Sequence, residues 1–546
     1  MYGLSSLLYS FLPTPEEMRL WDTTAIEHYG YNASMLMETA SRGTLHHIVT
    51  LPFIDNDSPI LIYVGAGNNG GDGIALGRQL HELGYTVHLL ITAPPDTLPN
   101  PAAMHWKLAL HSKIPFSIIP QDNPAFIPFE FGKPTLIIDA LLGTGLNRPL
   151  SDFLQGIICH INTLHNSSHI IALDIPSGLC GIRGYPLPQA IQAHTTIHFE
   201  AIKLGLAFPH AKAFTGKNIV HSIGIPQQIK HDIPSSWRLL EPAKKAFIHL
   251  HPHSHKGSAG KVLVIGGSSG MEGAPMLSGL AALRTGSGLV TIACPAHTAS
   301  RLRNGFPEIL IQGIGQDAVW TSSMASELVE SIEKSAPQSI VLGMGMGRSV
   351  EALSIVETVL SLPGRCPVIL DADALFLLAL GEEMGKNMCA YLTPEDIITP
   401  HPLEAARLLA LYFPSCSISK ITEYIQENRG DAMHKLCSKY PCVCVLKGAG
   451  TLISQQGSPL VLAPYDLPSL AIAGSGDVLA GLIGSLAARS EFSRMFSPMD
   501  TASFGVYLHA EAGKLLAEKH PLGHLASEIA HQIPLVLAPH IQSSSL

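Results

Sequence analysis

Asn68, Asn69 and Asp72 lie inside a glycine-rich run, Gly65-Ala66-Gly67-Asn68-Asn69-Gly70-Gly71-Asp72-Gly73, that follows an apolar stretch and opens a helical one. Gly65, Gly67 and Gly70 fit a G-x-G-x-x-G spacing. Such a loop lets backbone N–H groups approach a phosphate at a helix N-terminus; the plainer reading is a tight glycine turn. A dehydrogenase would place an acidic residue roughly 20 positions on, to hold a ribose. The next strand ends in Ile91-Thr92-Ala93-Pro94-Pro95 and supplies none, which disfavours NAD-dependent hydride transfer.

Two carboxylates follow further apolar runs. One opens Asp139-Ala140-Leu141-Leu142-Gly143-Thr144-Gly145, the other Asp174-Ile175-Pro176-Ser177-Gly178. A single Asp at such a point is often a turn cap. Three polar strand ends on one sheet describe a ligand-binding edge.

The second half carries Gly474-Ser475-Gly476-Asp477 at the head of an apolar, small-residue helix. Its N–H groups form an anion hole, and Asp477 on the first turn is placed to take a proton from a hydroxyl attacking phosphorus. An isolated acid there could also serve only the helix dipole. Four more strand ends carry glycine or polar residues: Lys447-Gly448-Ala449-Gly450-Thr451, Thr399-Pro400-His401-Pro402-Leu403-Glu404-Ala405-Ala406-Arg407, Gly343-Met344-Gly345-Met346-Gly347 and Asp371-Ala372-Asp373-Ala374. Together they describe one long cleft. No G-x-x-x-x-G-K-[ST] loop occurs.

The elements that must position these residues read as buried strands alternating with helices. In the first half the strands are residues 60–64, 86–91, 135–138 and 170–173; in the second, 262–265, 289–293, 340–342, 368–370, 397–398 and 443–446. Near-continuous apolar strands of this kind belong to parallel sheets covered on both faces, hence an α/β fold. Thr14-Pro15-Glu16-Glu17 reads as a capped helix start. A stretch rich in Pro, Ser and His, residues 231–255, separates the two series, with a boundary near residue 235. The domains expected are residues 10–232 and 240–541.

Hydrophobic residues make up 46% of the 546-residue chain and charged residues 14%, which excludes general disorder. A net charge of −9 argues against a nucleic-acid partner. No apolar run reaches ~18 residues, so no membrane span is expected. The first basic residue is Arg19, so no secretory leader is read. Nine cysteines, an odd number and spread out, read as reduced, buried thiols, with Cys442 and Cys444 sharing one face of a strand. His251, His253 and His255 read as a chance cluster in the linker, Met344 and Met346 as cleft lining, and His46-His47 as structural.

The motifs GAGNNGGDG, DALLGTG and DIPSG, with the initial helix from Pro15 to Asp22 and residues 35–38, resemble the NAD(P)H-hydrate epimerase domain, and Lys203-Leu204-Gly205 is similar to that family's late lysine motif. The resemblance covers about residues 10–230. It implies that Asn68, Asn69, Gly70, Gly71, Asp72, Gly143, Thr144, Gly145, Leu146, Asn147, Arg148, Pro149 and Asp174 line the hydrated nucleotide. It also implies that Asn69, Asp139 and Ser177 bind K⁺, a role that suits their hard oxygen atoms. Inverting a hydroxyl at C6 needs an acid–base group; Asp174 is the first candidate and Lys203 the other.

The second-half motifs, with Val264-Ile265-Gly266-Gly267-Ser268, Lys256-Gly257 and residues 270–274, resemble the ADP-dependent NAD(P)H-hydrate dehydratases of the ribokinase-like superfamily. This resemblance covers about residues 240–540. It implies that Ala274, Gly345, His401 and Asp477 contact the hydrated nucleotide. Lys447, Gly448, Ala449, Gly450, Thr451 and Gly476 would contact the adenine nucleotide, which brings Mg²⁺. Asp477 would deprotonate the C6 hydroxyl, and ADP would supply the phosphoryl group that makes it a leaving group. The family often carries Gly-Asn-x-Gly-Met-Ala before the GSGD turn; here residues 466–471 are Asp-Leu-Pro-Ser-Leu-Ala. The motifs do not separate ADP from ATP.

The whole chain thus resembles the bacterial bifunctional NAD(P)H-hydrate repair enzymes. The fold implied is a Rossmann-like three-layer sandwich followed by a ribokinase-like one. The activities implied are an isomerase and a lyase in metabolite repair, in a cytoplasmic homo-oligomer acting on hydrated NADH and NADPH with ADP. The alternative is a ribokinase-like small-molecule kinase whose first domain is regulatory.

Overall fold

The computed structural model describes residues 8–128, 133–146, 148–242, 248–250, 257, 259–303 and 305–543. His251, His253, His255 and Lys256 fall outside the described residues, as does Asn147. The chain divides into two compact units, Phe11–Arg238 on one side and Met1–Ser10 with Leu239–Leu546 on the other. A short strand near the start, β1 (Tyr9–Phe11), lies in the second sheet.

The first sheet holds β2 (Ile60–Val64), β3 (Val87–Ile91), β4 (Phe116–Ile118), β5 (Leu136–Ala140), β6 (His169–Leu173), β7 (Thr195–Phe199) and β8 (Lys217–His221). Their order is 4-3-2-5-6-7-8 and every pairing is parallel. Ile60, Ile62 and Val64 enter one apolar core while Leu61 and Tyr63 enter another. The period-2 alternation of side chains therefore explains why this strand is apolar at every position. Strand order reverses between β2 and β5, and ligands bind at the carboxyl ends of strands beside such a reversal. The Gly65 and Asp139 motifs leave those two strands.

β4, β7 and β8 were not read from the sequence. Phe116 and Ile118 of the edge strand β4 are exposed. β8 carries no continuous apolar run, and β7 mixes Thr and His with its apolar residues. The helix Pro15–Glu27 starts with the expected capping box, Thr14 accepting from the Glu17 amide and Glu17 from the Thr14 amide.

The stretch expected to be a linker contributes β9 (Trp237–Leu240) and β10 (Ile248–Leu250). There follow β11 (Lys261–Ile265), β12 (Leu289–Pro295), β13 (Leu310–Ile314), β14 (Ser339–Leu342), β15 (Val368–Leu370), β16 (Ile397–Ile398), β17 (Val443–Leu446), β18 (Thr451–Ser454), β19 (Leu460–Ala463) and β20 (Ile541–Ser543). Eleven of the strands form one sheet in the order 1-9-19-18-17-16-15-14-11-12-13, and β10 pairs with β20 apart from it. Pairings from β17 through β13 are parallel; β18 and β19 are added antiparallel. The reversal here falls between β11 and β14, at the Gly266 and Gly343 loops. The chain start is held to this unit by Tyr9 donating to Asp500 at 2.8 Å and Ser10 donating to Glu241 at 2.7 Å. For that reason residue 10 goes with the second unit and not the first.

All nine cysteines are free, but Cys159 and Cys416 are exposed and Cys180, Cys366 and Cys389 only partly buried, so the expectation of buried thiols holds for Cys294, Cys437, Cys442 and Cys444 alone. Met344 and Met346 are buried, Met344 in the apolar core of the second unit, so they are packing and not cleft lining.

Two candidate active sites

In the first unit, Gly65 directly follows β2, where a Cβ would come 1.7 Å from the Leu141 carbonyl oxygen. Only glycine lets these two strand ends approach. The helix Asn68–Glu82 starts immediately after, with Asn69 and Asp72 buried in its first turns. Asn69 donates through Nδ2 to the Leu142 carbonyl at 3.0 Å, and its Oδ1 is buried without a hydrogen-bond partner. Beside it, Ser177 donates its hydroxyl to Asp139 at 2.6 Å and its amide to the same carboxylate at 2.7 Å. Burial pushes Asp139 up to about 6 against those bonds.

β6 and β7 end alike. Asp174 and Glu200 have φ of +64° and +66°, a left-handed conformation that costs a non-glycine residue about 1–3 kcal/mol. Asp174 accepts from buried Lys203, and Lys203 also donates to the Phe199 carbonyl at 3.0 Å. Glu200 accepts from Lys230. Two more carboxylates face the Asp174–Lys203 pair. Burial, with further repulsion from Asp174, raises Asp22 to about 7, and burial with repulsion from Asp174 and Asp22 holds Asp72 well above the usual range. The Asp22 Oδ1 is buried and unpartnered. One buried ammonium thus faces three carboxylates, and the raised values of Asp22 and Asp72 favour a proton on one of those two at neutral pH.

In the second unit, Gly474 caps the helix Ser475–Ala487 with φ +88°, and a Cβ there would lie 2.5 Å from Leu277. The turn presents the Gly476 and Asp477 amides, which have no acceptor within their own helix. Lys447 leaves β17 and donates to Asp371 at 2.6 Å, with Glu404 at 3.8 Å. A Cβ on Gly476 would sit 3.3 Å from both the Lys447 Nζ and Asp371 Oδ2, which places the glycine turn against this ion pair. Burial works against the Lys447 charge, but Asp371 and Glu404 outweigh it and hold the ammonium above its ordinary value. Burial, reinforced by Asp371 and opposed by Lys447, pushes Asp477 up to about 7. That is a useful value for a base near neutral pH.

His401 caps its helix through Nδ1, and burial together with Lys447 drives its pKa down to about 4. Its 3.3 Å approach to Glu404 is therefore a contact of a neutral ring and not an ion pair. A cavity of about 460 Å³ opens beside these groups, lined by Lys447, Gly448, Ala449, Thr451 and Gly476 on one side and by Asp466, Leu467, Pro468 and Leu470 on another. The size suits a mononucleotide.

Residues 262–535 match the family model described as NAD(P)H-hydrate dehydratase, and residues 33–205 match that of the YjeF-related protein N-terminus. The chain is 33% identical over 485 residues to a bifunctional NAD(P)H-hydrate repair enzyme of Coxiella burnetii, covering 88% of this chain and 90% of that one. It is 32% identical over 497 residues to the enzyme of the same description from Escherichia coli, covering 88% and 85%. The chain belongs to the family of bifunctional NAD(P)H-hydrate repair enzymes. A solved structure, the ADP/ATP-dependent NAD(P)H-hydrate dehydratase from Bacillus subtilis co-crystallised with ATP/Mg²⁺, is 25% identical with a TM-score of 0.42, over 54% of this chain and 95% of that one.

Within this repair-enzyme chain, the structure brings Asn69, Asp139, Ser177 and Gly143 together; a Cβ on Gly143 would lie 3.3 Å from that of Asn69. It brings Asp72, Asp174 and Lys203 together in a second group. Thr144, Gly145 and Leu146 continue the loop after β5. Arg148 and Pro149 are exposed on it, and among the described residues no hydrogen bond ties Arg148 to either group. Ala274 and Gly345 meet: a Cβ on Gly345 would lie 3.5 Å from that of Ala274. Gly450 does not line the cavity; its amide donates to Tyr465.

Four repair-enzyme residues were missed as site members: Asp22, Asp371, Glu404 and Asp373. Asp371, Asp373 and Glu404 stand in quoted strand-end motifs, so their position was the available signal. Asp22 ends the stretch of the first helix that carries the resemblance, but nothing in the sequence sets that acid apart as a member of the site. The altered residues 466–471 form the short turn Pro468–Leu470, with Ser469 donating to the Gly513 carbonyl at 3.0 Å and Leu470 packed on Gly513. This turn thus forms an anchored, largely apolar wall of the cavity.

Proposed function

We propose that the first unit interconverts the R and S epimers of hydrated NADH and NADPH at C6, and that the second dehydrates the S epimer at the expense of ADP or ATP. With ADP the products are NAD(P)H, AMP and phosphate. The observation that carries the second assignment is Asp477 at a helix N-terminus beside the Lys447–Asp371 pair and a nucleotide-sized cavity.

In the first unit the Asn68–Asp72 amides and the 143–149 loop receive the hydrated dinucleotide. Asp174, held by Lys203 and flanked by Asp22 and Asp72, moves the proton as the hydroxyl leaves and returns. Asn69 Oδ1, buried and unpaired, with the oxygens of Asp139 and Ser177, fits K⁺. The ion would supply positive charge that balances substrate phosphates.

In the second unit Ala274, Gly345 and His401 hold the ring, and Asp477 takes the C6 hydroxyl proton. The oxygen attacks the terminal phosphorus of the nucleotide and displaces AMP from ADP; the C6–O bond of the new ester then breaks with assistance from the ring nitrogen lone pair, phosphate leaves, and loss of a proton from C5 restores the dihydronicotinamide. Lys447 and the Gly474 turn hold the developing negative charge. Asp371 and Glu404 are carboxylates at hand for Mg²⁺ arriving with the nucleotide phosphates, a usual arrangement for that ion. A homo-oligomer in the cytoplasm completes the proposal. Among the described residues no helix is long and apolar enough to cross a membrane.

The test follows absorbance of the reduced nicotinamide from an R/S mixture of NADPH hydrate with Mg²⁺, K⁺ and either ADP or ATP. Recovery of nearly all NADPH supports both activities. Recovery of the S fraction alone sinks the epimerase assignment, and no recovery with either nucleotide sinks the dehydratase.

A further inference from the structure

The ring of Phe376, on the helix Asp373–Glu383, is partly exposed and carries two guanidinium groups. The Cζ of Arg348 lies 5.0 Å from its centroid and that of Arg407 lies 5.4 Å away. Arg348 directly follows the Gly343–Gly347 turn that presents Gly345, and its Nε donates to Asp373 at 2.7 Å. Arg407 stands on the helix Pro402–Leu408, one turn beyond Glu404. Among the described residues no hydrogen bond or ion pair neutralises Arg407, although its side chain is only partly exposed. Asp371 and Glu404, the nearby acids, face Lys447 instead. Both guanidiniums act on His401, adding to the forces that keep its ring neutral.

A guanidinium offers phosphate a planar, bidentate fork, and a flanking aromatic face suits an adjoining sugar or base. The adenine nucleotide already meets Lys447 and the Gly474 turn. Resting on the dehydratase reading above, we propose that Arg348, Arg407 and Phe376 form a subsite for a phosphate group on the adenosine arm of the hydrated dinucleotide. This subsite sets how tightly the substrate is held, and its two arginines are positioning residues outside the chemistry at Asp477. The phosphate is either the diphosphate common to both hydrates or the 2′-phosphate found only in NADPH hydrate.

The experiment measures initial dehydration rates of the S hydrates of NADH and NADPH, each with saturating ADP and then with ADP varied, for the full chain and for Arg407→Gln, Arg407→Lys and Arg348→Gln. Arg407→Gln should raise the KM for hydrate about tenfold, the scale of a lost charge-assisted hydrogen bond, with a smaller change in kcat. Arg407→Lys should recover part of the loss. An equal rise for both hydrates supports the subsite and assigns the diphosphate; a rise mainly for NADPH hydrate supports it and assigns the 2′-phosphate. An unchanged hydrate KM in both glutamine variants, or a rise confined to the KM for ADP, overturns it. If Arg407→Gln does not fold by thermal melting, Arg348→Gln and Arg407→Lys decide the matter by the same readout. A wild-type protein inactive on both hydrates would instead overturn the dehydratase reading.

Discussion

Lys447 donates to Asp371 at 2.6 Å and so joins the ends of two strands that are separated in the sheet by a third. The ammonium is the nearest counter-charge for Asp371, Glu404 and Asp477 together. Lys447→Met should lower dehydratase kcat on the order of a hundredfold, the usual cost of removing one preorganised charge-stabilising group. Epimerisation, assayed on the same preparation without nucleotide, should continue. Dehydration at the wild-type rate would remove Lys447 from the mechanism.

Asp477 is held up to about 7 by burial and by Asp371. A base works deprotonated, so dehydratase kcat/KM should fall as pH drops through about 7, approaching tenfold per unit below it. Lys447 works to lower that pKa, so Lys447→Met should also move the limb upward wherever activity is measurable. Asp477→Asn should abolish the limb and nearly all turnover. A flat profile between pH 5 and 8 would argue against Asp477 as the base.

Asp22 is the carboxylate near Lys203 that keeps an unpaired buried oxygen. Asp22→Asn should slow epimerisation roughly 10²-fold or more, within the range for acid–base groups. The measurement is the R-to-S conversion rate, resolved by chromatography above the spontaneous background. Asp174→Asn should be at least as severe, because it also strips Lys203 of its partner. A normal rate in Asp22→Asn with a defect in Asp174→Asn would confine proton transfer to the Asp174–Lys203 pair.

Arg365 clamps Asp396 through two bonds of 2.6 Å, and Asp396 is fully buried at the start of β16. The same carboxylate accepts from the Val368 and Thr393 amides at 2.9 and 2.7 Å. Asp396→Ala leaves the buried Arg365 charge without its counter-ion and two amides unsatisfied, and should cost about 3–5 kcal/mol. Urea unfolding followed through dehydratase activity reads this directly. A loss under 1 kcal/mol, roughly that of an exposed pair, would show that solvent reaches the site.

The sequence by itself determined the α/β class, the two-unit plan and the strand ends at which the candidate sites lie. Strands buried on both faces must be apolar throughout, and glycine turns at their ends are legible because a Cβ is sterically excluded there, as at Gly65 and Gly474. It hid strands such as β4 and β8, where edge positions relax the demand for apolar residues. It also hid the allegiance of residues 8–10, which contact a sheet built from the far end of the chain. Most of all it could not show which charges meet. Asp22 lies 181 positions before Lys203, and Asp371 lies 76 before Lys447. Electrostatic partnership depends on distance in space and on the removal of water, and only the packed tertiary structure decides either one.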